Sequence, residues 1–391
     1  MSTTCPSGWK EYRLGELAHI DRQIVEPDRI RPGTNYVGLE HITSDGTFVD
    51  RKPVDNGELA SSKFVFGPEH LLYGKLRPYL RKIALPDFSG VCSTDILPIK
   101  PVGNRADRAY LFHYLRQQRM VDLAEARSTG VNLPRLSPKV LEDFEVFAPV
   151  DVAEQRRIAA ILDNADAIRR KRRQALAEID ALLRAAFLDM FGDPATNPHG
   201  FTLEPVRKFG RVMTGNTPPR ANPQNFGSQI EWIKSDNISD AKYFLTKAAE
   251  GLSKIGRSVG RVAPAGSILV TCIAGSPKSI GTAALADREV AFNQQINAII
   301  PFQPQLLGFL FVQIVLAKRL IQRKSSNAMK GMVTKTEFEE VCIMKPPAEQ
   351  QRRFSEWFTR FVGAFRKLQA AAEASEEAFG SLSQRAFRGG L

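Results

Sequence analysis

The chain has 391 residues, of which 54 are Lys or Arg and 42 are Asp or Glu, so its formal net charge at pH 7 is +12. A surface with this excess of positive charge attracts polyanions, and nucleic acid is the commonest of these. The longest apolar run, residues 306–316, is too short to span a bilayer, and the first residues lack the pattern of a secretion signal, so we predict a cytoplasmic protein without a membrane partner.

The first 150 residues carry the pattern of a mixed α/β domain. Apolar runs over residues 36–42 and 71–74 are bounded by Gly and polar residues, which predicts strands. The second run ends at a Gly and is followed by Lys75 and Arg77, a pattern typical of a strand that enters a functional loop. An amphipathic helix is predicted from Tyr110 onward.

Residues 151–195 predict a single long helix. Apolar residues recur at a spacing of three and four after Pro149. The segment from Gln155 to Phe191 would be ~55 Å long as a helix. A helix of this length needs a partner that covers its apolar face, and the end of the chain supplies an equivalent helix. We therefore expect the two helices to pair.

A basic run, residues 169–173, lies inside this helix and has two interpretations. Its side chains point all round the helix, since each residue advances by about 100°. If the two long helices pair antiparallel with their ends aligned, Arg169 faces the neighbourhood of Glu373 and Glu376, which favours structural ion pairs. Phosphate contact is the other interpretation, and the sequence leaves both open.

Residues 196–346 repeat the order of the first domain. Strands are predicted over residues 230–238 and 268–274, and an amphipathic helix from Phe309 onward. A second long helix is predicted over residues 347–391. Apolar residues at helical spacing define the predicted seam between the long helices: Ile158, Ile161, Ala165, Ile168, Leu176, Ile179, Leu183, Phe354, Phe358, Phe361, Phe365, Leu368, Phe379 and Leu382.

The two halves of the chain form an internal repeat. The segment 153–158 recurs at 348–354, with Gln350 standing 195 residues after Gln155. The predicted fold class is α+β, with two similar mixed α/β domains separated by two long helices that form an antiparallel coiled coil, a pseudo-two-fold internal repeat. The predicted boundaries are 1–150 for the first domain, 151–195 for the first helix, 196–346 for the second domain and 347–391 for the second helix.

No catalytic or metal-binding pattern is found in the sequence. The chain lacks a G-x-x-x-x-G-K-[ST] phosphate loop, the paired motifs of amino-methyltransferases and a P-D…E-x-K nuclease core, and its five histidines lack metal-ligand spacing. Cys5, Cys92, Cys272 and Cys342 lie far apart, which predicts buried free thiols. We therefore predict a protein that binds and positions, and that is not an enzyme.

This organisation resembles the specificity subunit of type I restriction-modification enzymes. The segment 72–80, with the sequence LYGKLRPYL, is similar to a recurrent segment of that family's target-recognition domains. The entries into the long helices, residues 149–161 and 346–358, also match. The second copy departs from the pattern, because residues 270–273 lack the Lys and Arg and Phe354 stands where Ile158 does.

The resemblance implies that each target-recognition domain reads one half of an asymmetric, interrupted double-stranded DNA sequence. It implies assembly with two S-adenosylmethionine-dependent methyltransferase subunits and with motor-nuclease subunits that use ATP and Mg²⁺, while this chain binds no cofactor itself. The loop residues expected to contact DNA are Lys75, Arg77, Lys82, Thr129 and Arg135 in the first domain, and Ser276, Lys278, Asn293, Gln294 and Lys330 in the second.

Two other classes of function stay open at this point. A stand-alone methyltransferase or nuclease would modify or cut DNA as the purified chain. A coiled-coil DNA-binding or scaffold protein outside restriction-modification would share the long helices. Salt-dependent, sequence-selective DNA binding would exclude a pure scaffold.

Overall fold

The computed structural model describes residues 6–50, 53–55, 57–239, 243–325 and 331–391. The chain divides into two compact units: unit 1 comprises Met1–Arg173 and Ala371–Leu391, and unit 2 comprises Gln174–Ala370. Each long helix therefore contributes one segment to each unit. Among the described residues, no helix is both long and apolar enough to cross a membrane.

Unit 1 combines two four-stranded sheets with a short strand pair. Its strands are β1 (Trp9–Arg13), β2 (Ala18–Ile20), β3 (Ile24–Val25), β4 (Tyr36–Val37), β5 (Lys63–Phe66), β6 (Leu71–Gly74), β7 (Ile83–Ala84), β8 (Gly90–Cys92), β9 (Ile96–Pro101) and β10 (Glu145–Pro149). Its short helices are α1 (Leu14–Leu17), α2 (Arg108–Leu115), α3 (Gln118–Ala126) and α4 (Pro138–Glu142). One sheet has the order β2-β9-β6-β7 and the other β3-β5-β8-β4, while β1 pairs with β10.

The larger of the two hydrophobic clusters described in unit 1 includes residues of both long helices. Leu71 of β6, Ile99 of β9 and Leu111 of α2 are fully buried in the same cluster. Ile158 and Phe387, which lie far apart in the sequence, belong to this cluster as well. Burial of each such side chain stabilises the fold by ~1.5 to 3 kcal/mol. The long helices are thus part of the core of the unit and not only its support.

Unit 2 repeats this plan. Its strands are β11 (Thr202–Pro205), β12 (Gly210–Thr214), β13 (Phe226–Ile233), β14 (Gly251–Leu252), β15 (Val262–Ala263), β16 (Ile268–Thr271), β17 (Ile273–Ala274), β18 (Ala283–Leu285), β19 (Val290–Phe292), β20 (Ile296–Pro301), β21 (Gly331–Met332) and β22 (Cys342–Lys345). Its helices include α6 (Lys254–Val259), α7 (Leu307–Leu316), α8 (Lys318–Gln322) and α9 (Lys335–Glu339). The sheet orders are β12-β20-β16-β18, β14-β13-β19-β15, β11-β22 and β17-β21.

The two units share one sheet topology and differ at its edge. In unit 1, β8 lies between antiparallel β5 and parallel β4. In unit 2, β19 lies between antiparallel β15 and parallel β13 in the same way. The remaining strand of each sheet is added at a different edge. In unit 1, β3 pairs with the antiparallel neighbour β5, whereas in unit 2, β14 pairs with the parallel neighbour β13. The internal repeat predicted from the sequence is therefore present, with an addition that is specific to each copy.

The strands predicted over 36–42 and 230–238 are shorter than expected. Each strand stops early, and a 3-10 turn follows at Leu39–His41 and at Ser235–Asn237. The third residue of each turn folds back on the backbone. His41 Nδ1 accepts from the Gly38 N–H at 3.1 Å, and Asn237 Oδ1 accepts from the Lys234 N–H at 3.0 Å. A side-chain acceptor at this position favours the turn over a longer strand.

The two predicted long helices are present as α5 (Val152–Phe191) and α10 (Ala348–Ala386). In unit 2, Phe187 near the end of α5 packs against Phe354 near the start of α10, with ring centroids 5.3 Å apart. Asp180 and Phe365 both contact the side chain of Tyr243. The paired segments of unit 2 therefore run antiparallel.

The basic run forms structural ion pairs within unit 1. The Arg169 guanidinium lies 3.1 Å from the Glu376 carboxylate and also pairs with Asp166, and Arg172 donates to the Ala371 carbonyl at 2.7 Å. These contacts confirm the ion pairing between Arg169 and Glu376 and show that the segments run antiparallel in unit 1 too. Lys171 is exposed on the outer face of α5.

The residues of the predicted seam differ in how far they are buried. Buried seam residues are Ile158, Leu183, Phe354, Phe358, Phe361 and Phe365, and half-buried ones are Ile161, Ala165, Leu176, Ile179, Leu368, Phe379 and Leu382. Ile168 is 51% exposed, so its assignment to the seam is wrong. Asp166, which is only 4% exposed and is held by Arg169 and Arg170, occupies the inward position of that turn.

The equivalent glutamines at the starts of the two long helices are 196 residues apart in the sequence, and not 195 as the repeat predicted. Gln155 is completely buried and donates to the Pro149 carbonyl at 2.8 Å. The residue that does the same in unit 2 is Gln351, which donates to the Pro346 carbonyl at 2.6 Å, and not Gln350. In each copy the amide satisfies a carbonyl at the end of a strand where the chain turns into the helix.

The cysteines are only partly as predicted. Cys92 and Cys272 are buried free thiols, but Cys342 is exposed. Cys342 is the first residue of β22, in which the two end residues are exposed and the two residues between them are buried. Cys5 lies outside the described residues.

Candidate nucleic-acid interface

Three loops of unit 1 meet at one point, which we call junction 1. It consists of residues 75–77 after β6, residues 93–95 after β8 and residues 129–136 before α4. The Lys75 N–H donates to the Asp95 carbonyl at 2.9 Å, and the Leu136 N–H donates to the Lys75 carbonyl at 2.9 Å. The Arg77 N–H donates to the Pro134 carbonyl at 2.8 Å. Junction 1 therefore brings together residues as far apart in the sequence as Lys75 and Leu136.

Arg77 takes a rare backbone conformation at this junction. Its φ of 50° places it in the left-handed region, which residues other than glycine seldom adopt. Its guanidinium donates to the Asn132 carbonyl at 3.3 Å, so the side chain holds the tip of the third loop. Strain of this kind is found at ligand-binding positions and persists where the surrounding contacts enforce it.

Arg135 is held by a carboxylate of the second loop. Its Nε lies 3.1 Å from one Asp95 oxygen and its Nη2 3.4 Å from the other. The hydrogen bond to Asp95 raises the pKa of the Arg135 guanidinium. The Arg135 and Thr129 backbones exchange two hydrogen bonds, of 2.9 and 3.0 Å, which closes the loop into a hairpin. Arg135 is exposed, so the pairing fixes its direction without covering it.

Two further cations that were predicted to contact DNA, Lys75 and Lys82, differ in whether the chain itself binds their ammonium groups. The Lys75 ammonium makes no hydrogen bond or ion pair with any part of the chain that the structure describes. Lys82 donates to the Leu39 carbonyl at 2.6 Å and is half-buried. One of the three ammonium donors of Lys82 is thus taken by a backbone acceptor, and its contact with DNA stays a prediction.

Unit 2 builds an equivalent junction 2 from residues 272–274, 293–295 and 331–333. The Cys272 N–H donates to the Gln295 carbonyl at 2.8 Å, and the Val333 N–H donates to the Cys272 carbonyl at 2.8 Å. Ala274 pairs with Gly331 across β17 and β21. This backbone pattern reproduces that of junction 1, in which Lys75 occupies the place of Cys272.

The side chains of the two junctions differ in character. Junction 1 carries Lys75, Arg77 and Arg135, and the corresponding residues of junction 2 are Cys272, Ala274 and Met332. Burial raises the pKa of the Cys272 thiol to about 12, so the thiol is neutral at physiological pH. The same backbone framework thus presents cations in one unit and small or apolar groups in the other.

The predicted residues of unit 2 fall into three groups. Ser276, Lys278 and Gln294 are exposed, and the Gln294 amide oxygen accepts from the Thr217 hydroxyl. Asn293 is 6% exposed and its side chain bonds to Gln295, so its assignment as a DNA contact is wrong. Lys330 lies outside the described residues.

Asp95 and Arg81 belong to this interface but were not predicted from the sequence. Asp95 orients Arg135 but lies 40 residues from it in the sequence. A usable signal was the turn before β9, where Ser93 Oγ accepts from the Asp95 N–H, because Asn293 Oδ1 closes the same turn in unit 2. Arg81, with a φ of 52°, follows the same loop as Arg77.

The described residues contain no group of three or more His, Cys, Asp or Glu side chains that could hold a metal ion. The two junctions are built from backbone hydrogen bonds, amides and guanidinium groups. Such donors recognise phosphates and base edges by hydrogen bonding.

A family model described as the type I restriction modification DNA specificity domain matches residues 6–180 and 208–374. The chain belongs to this family. The two matched segments each contain one junction, so the specificity domain occurs twice. This confirms the resemblance that the sequence indicated.

Curated relatives of this specificity family match parts of the chain. The type I restriction enzyme EcoDI specificity subunit of Escherichia coli is 27% identical over 191 residues, which cover 48% of this chain and 42% of the relative. The HindI specificity subunit of Haemophilus influenzae is 27% identical over 157 residues, covering 39% of this chain and 33% of the relative. The matches therefore span less than half the length of these relatives.

Several solved structures have a fold similar to that of this chain. The type I restriction-modification S subunit from M. genitalium has a TM-score of 0.65 at 12% identity, covering 99% of this chain and 98% of that one. A chain from a structural study of type I R-M complex assembly has a TM-score of 0.55 at 21% identity, covering 99% and 100%. Both likenesses support the two-domain α+β fold.

Proposed function

We propose that this chain is the specificity subunit of a type I restriction-modification complex and reads an asymmetric, bipartite double-stranded DNA site. Each target-recognition domain reads one half of the site through its junction. The proposed boundaries are residues 1–150 and 196–346 for the domains, and 151–195 and 347–391 for the spacer helices.

The observation that carries this proposal is the pair of junctions. Both use the same backbone hydrogen bonds, but Lys75, Arg77 and Arg135 in one correspond to uncharged residues in the other. A constant framework with different side chains is what two readers of different DNA sequences need. An asymmetric site follows, because the two halves would meet different donors and acceptors.

We assign the contacts by chemistry. Arg77 and Arg135 have the guanidinium geometry that binds guanine O6 and N7, and Lys75 has an ammonium that no described residue holds and that suits a phosphate. Thr129 adds a hydroxyl at the base of the hairpin. In the second domain the proposed contacts are Ser276, Lys278, Gln294 and Lys330. The net charge of +12 supports attraction to the phosphate backbone.

In this proposal the chain is not catalytic and binds no cofactor. It positions two S-adenosylmethionine-dependent methyltransferase subunits and, in a restricting complex, motor-nuclease subunits that use ATP and Mg²⁺. The proposed place of action is the cytoplasm, where foreign DNA is met.

The first test is selection of DNA by the purified full chain from a pool of random duplexes. The expected result is enrichment of two short, different sequence elements separated by a spacer of constant length. Enrichment of one element only would show that a single domain reads sequence. Absence of any enrichment, with binding that depends only on salt, would contradict the proposal.

The second test separates this function from that of a stand-alone enzyme. The purified chain is incubated with labelled S-adenosylmethionine and the selected duplex, with and without a type I methyltransferase subunit from the same host. We expect methyl transfer only when both proteins are present. Methyl transfer or DNA cleavage by the chain alone would overturn the non-catalytic assignment.

A further inference from the structure

A cleft of about 400 Å³ lies in unit 1 beside the predicted interface. We call it the arginine cleft, because four arginines line it. Its walls come from the turn after β6, the α2–α3 connection and the last turns of α10. The lining residues are Arg81, Arg116, Gln117, Gln118, Arg119, Phe379, Gly380, Ser383, Gln384, Phe387 and Arg388, and none of these is acidic.

Arg116 is a half-buried cation that lacks a contacting carboxylate within the described residues. One guanidinium nitrogen donates to the Ser44 carbonyl at 3.2 Å, and the group stacks on Phe112 at 4.7 Å. Its Nε is buried and has no hydrogen-bond partner there. Burial lowers the pKa of Arg116 to about 10, while Asp166 and Asp45 oppose this shift. Arg116 therefore stays charged at pH 7, with Asp166 and Asp45 near enough to act on it but with no carboxylate among the described residues in ion-pair contact with it.

The other arginines of the cleft also lack carboxylate partners among the described residues. Arg119 donates to the Tyr114 hydroxyl at 2.5 Å and to the Gln117 side chain at 3.2 Å, and it lies 4.9 Å from the centre of the Tyr114 ring. Arg81 and Arg388 make no side-chain ion pair with any described residue. Four like charges that converge without carboxylates repel one another, and an anion in the cleft would relieve this repulsion.

We propose that the arginine cleft binds phosphate groups, and that their source is the backbone of the DNA held at junction 1. The choice of DNA as the source rests on the proposed function. Guanidinium groups suit phosphate, since their planar fork matches two phosphate oxygens. Glutamine and serine side chains on the walls add neutral donors for the same oxygens.

The position of the cleft supports this source. Helix α3 runs from the cleft at Gln118 toward the third loop of junction 1, which begins three residues after Ala126. A helix of this length spans ~13 Å, which is about four base pairs along a duplex at 3.4 Å per pair. A duplex bound at junction 1 would therefore bring backbone phosphates within reach of the cleft. Arg81 continues the loop that carries Arg77, so the two sites are joined by one segment.

The test uses the full chain and its variants Arg119→Gln, Arg388→Gln and the double variant. Both arginines are exposed, but Arg119 also donates to the hydroxyl of the buried Tyr114, so the stability of each variant is checked by thermal unfolding. The affinity for a 30-base-pair duplex is measured at several salt concentrations. We expect each single variant to lower the slope of log affinity against log salt by about 0.9, which is roughly ten-fold weaker binding at 0.1 M salt, and the double variant to lower it by about 1.8. Arg119→Lys should retain the slope.

Arg157→Gln is the matched control, because Arg157 is an exposed arginine of unit 1 that pairs with Glu154 on α5. It should leave the salt slope unchanged. A parallel titration with inorganic tripolyphosphate distinguishes the two sources of phosphate. Saturable binding that the double variant abolishes, with an unchanged DNA slope, would support a phosphate site that takes a free polyphosphate and would overturn DNA as the source.

An unchanged DNA slope in the double variant together with no saturable tripolyphosphate binding would overturn the proposal. A different result would show that the proposed function, and not the arginine cleft, is wrong. In that case the wild-type chain would bind duplexes without sequence preference, while the slope difference between wild type and variants would still report on the cleft.

Discussion

Phe387→Ala tests whether the end of α10 belongs to the core of unit 1. Phe387 is 3% exposed and makes edge-to-face contacts with Tyr110 at 5.3 Å and Tyr114 at 5.2 Å. Loss of a buried Phe costs ~3 to 5 kcal/mol, and each aromatic pair accounts for ~0.5 to 1.5 kcal/mol. Because Phe387 also lines the arginine cleft, the space that its side chain leaves opens into that cleft, and we expect about 3 kcal/mol.

Hydrogen exchange measures this effect for each unit separately, which a single unfolding curve of a two-unit chain does not. We expect the most protected amides of β6 and β9 in unit 1 to exchange roughly 100-fold faster, while those of β16 and β20 in unit 2 keep their rates. Phe302→Ala is the control, since Phe302 is 61% exposed. Unchanged protection of β6 and β9 would refute the inclusion of the C-terminal segment in this core.

Three further variants or probes test other parts of the fold. Gln155→Ala should destabilise unit 1 by ~2 to 4 kcal/mol in the same exchange measurement, because the amide of this fully buried residue makes three hydrogen bonds. A loss of stability below ~1 kcal/mol would contradict this expectation. In a Cys5→Ser background, maleimide should label exposed Cys342 rapidly, whereas Cys272, which is buried and has a raised pKa, should react only after unfolding. The labelling rates are read by mass spectrometry, and equal rates at the two cysteines would contradict the burial of Cys272. Ile168→Ser should change stability by less than ~0.5 kcal/mol in thermal unfolding, and a loss above 2 kcal/mol would return Ile168 to the seam.

The long helices could be predicted because their signal is local. Apolar residues at helical spacing continue for about ten turns, and this periodicity does not depend on the rest of the chain. The strands β6 and β16 were found for a similar reason, since each is a short apolar run that ends in a loop. Ile168 was misassigned because a periodic pattern does not show where a buried Asp166 and its arginines replace an apolar contact.

Other features depend on partners that are distant in the sequence. β1 pairs with β10 more than 130 residues later, and the two-residue strands β3 and β4 exist only because a neighbouring strand supplies their hydrogen bonds. The glutamine of each helix entry was visible, but its function in binding a strand-end carbonyl was not. Its equivalent, Gln351, emerges only from this shared contact.

The candidate interface shows the same limit. The sequence identified Lys75, Arg77 and Arg135 by their residue type and their position after a strand. It gave no means to see that Asp95 orients Arg135 or that Lys82 points at a backbone carbonyl. Whether a polar residue faces solvent or completes a turn, as Asn293 does, is decided by contacts across the junction.

The central claim is that junction 1 reads one half of a bipartite DNA site. The measurement that tests it most directly compares wild type, Arg77→Ala and Lys75→Ala on the selected duplex and on two derivatives, each altered in one half. Arg13→Ala serves as the control, since Arg13 is an exposed arginine of unit 1 that pairs with Asp143 away from the junction.

We predict that Arg77→Ala binds the selected duplex ~1 to 3 kcal/mol more weakly and loses discrimination in one half only, because a lost base contact removes selectivity at its own position. Lys75→Ala should weaken binding to all three duplexes alike and lower the salt slope by about one, as expected for a lost phosphate contact. Full affinity and unchanged selectivity of both variants at every salt concentration would remove junction 1 from the interface and contradict the proposed function of this unit.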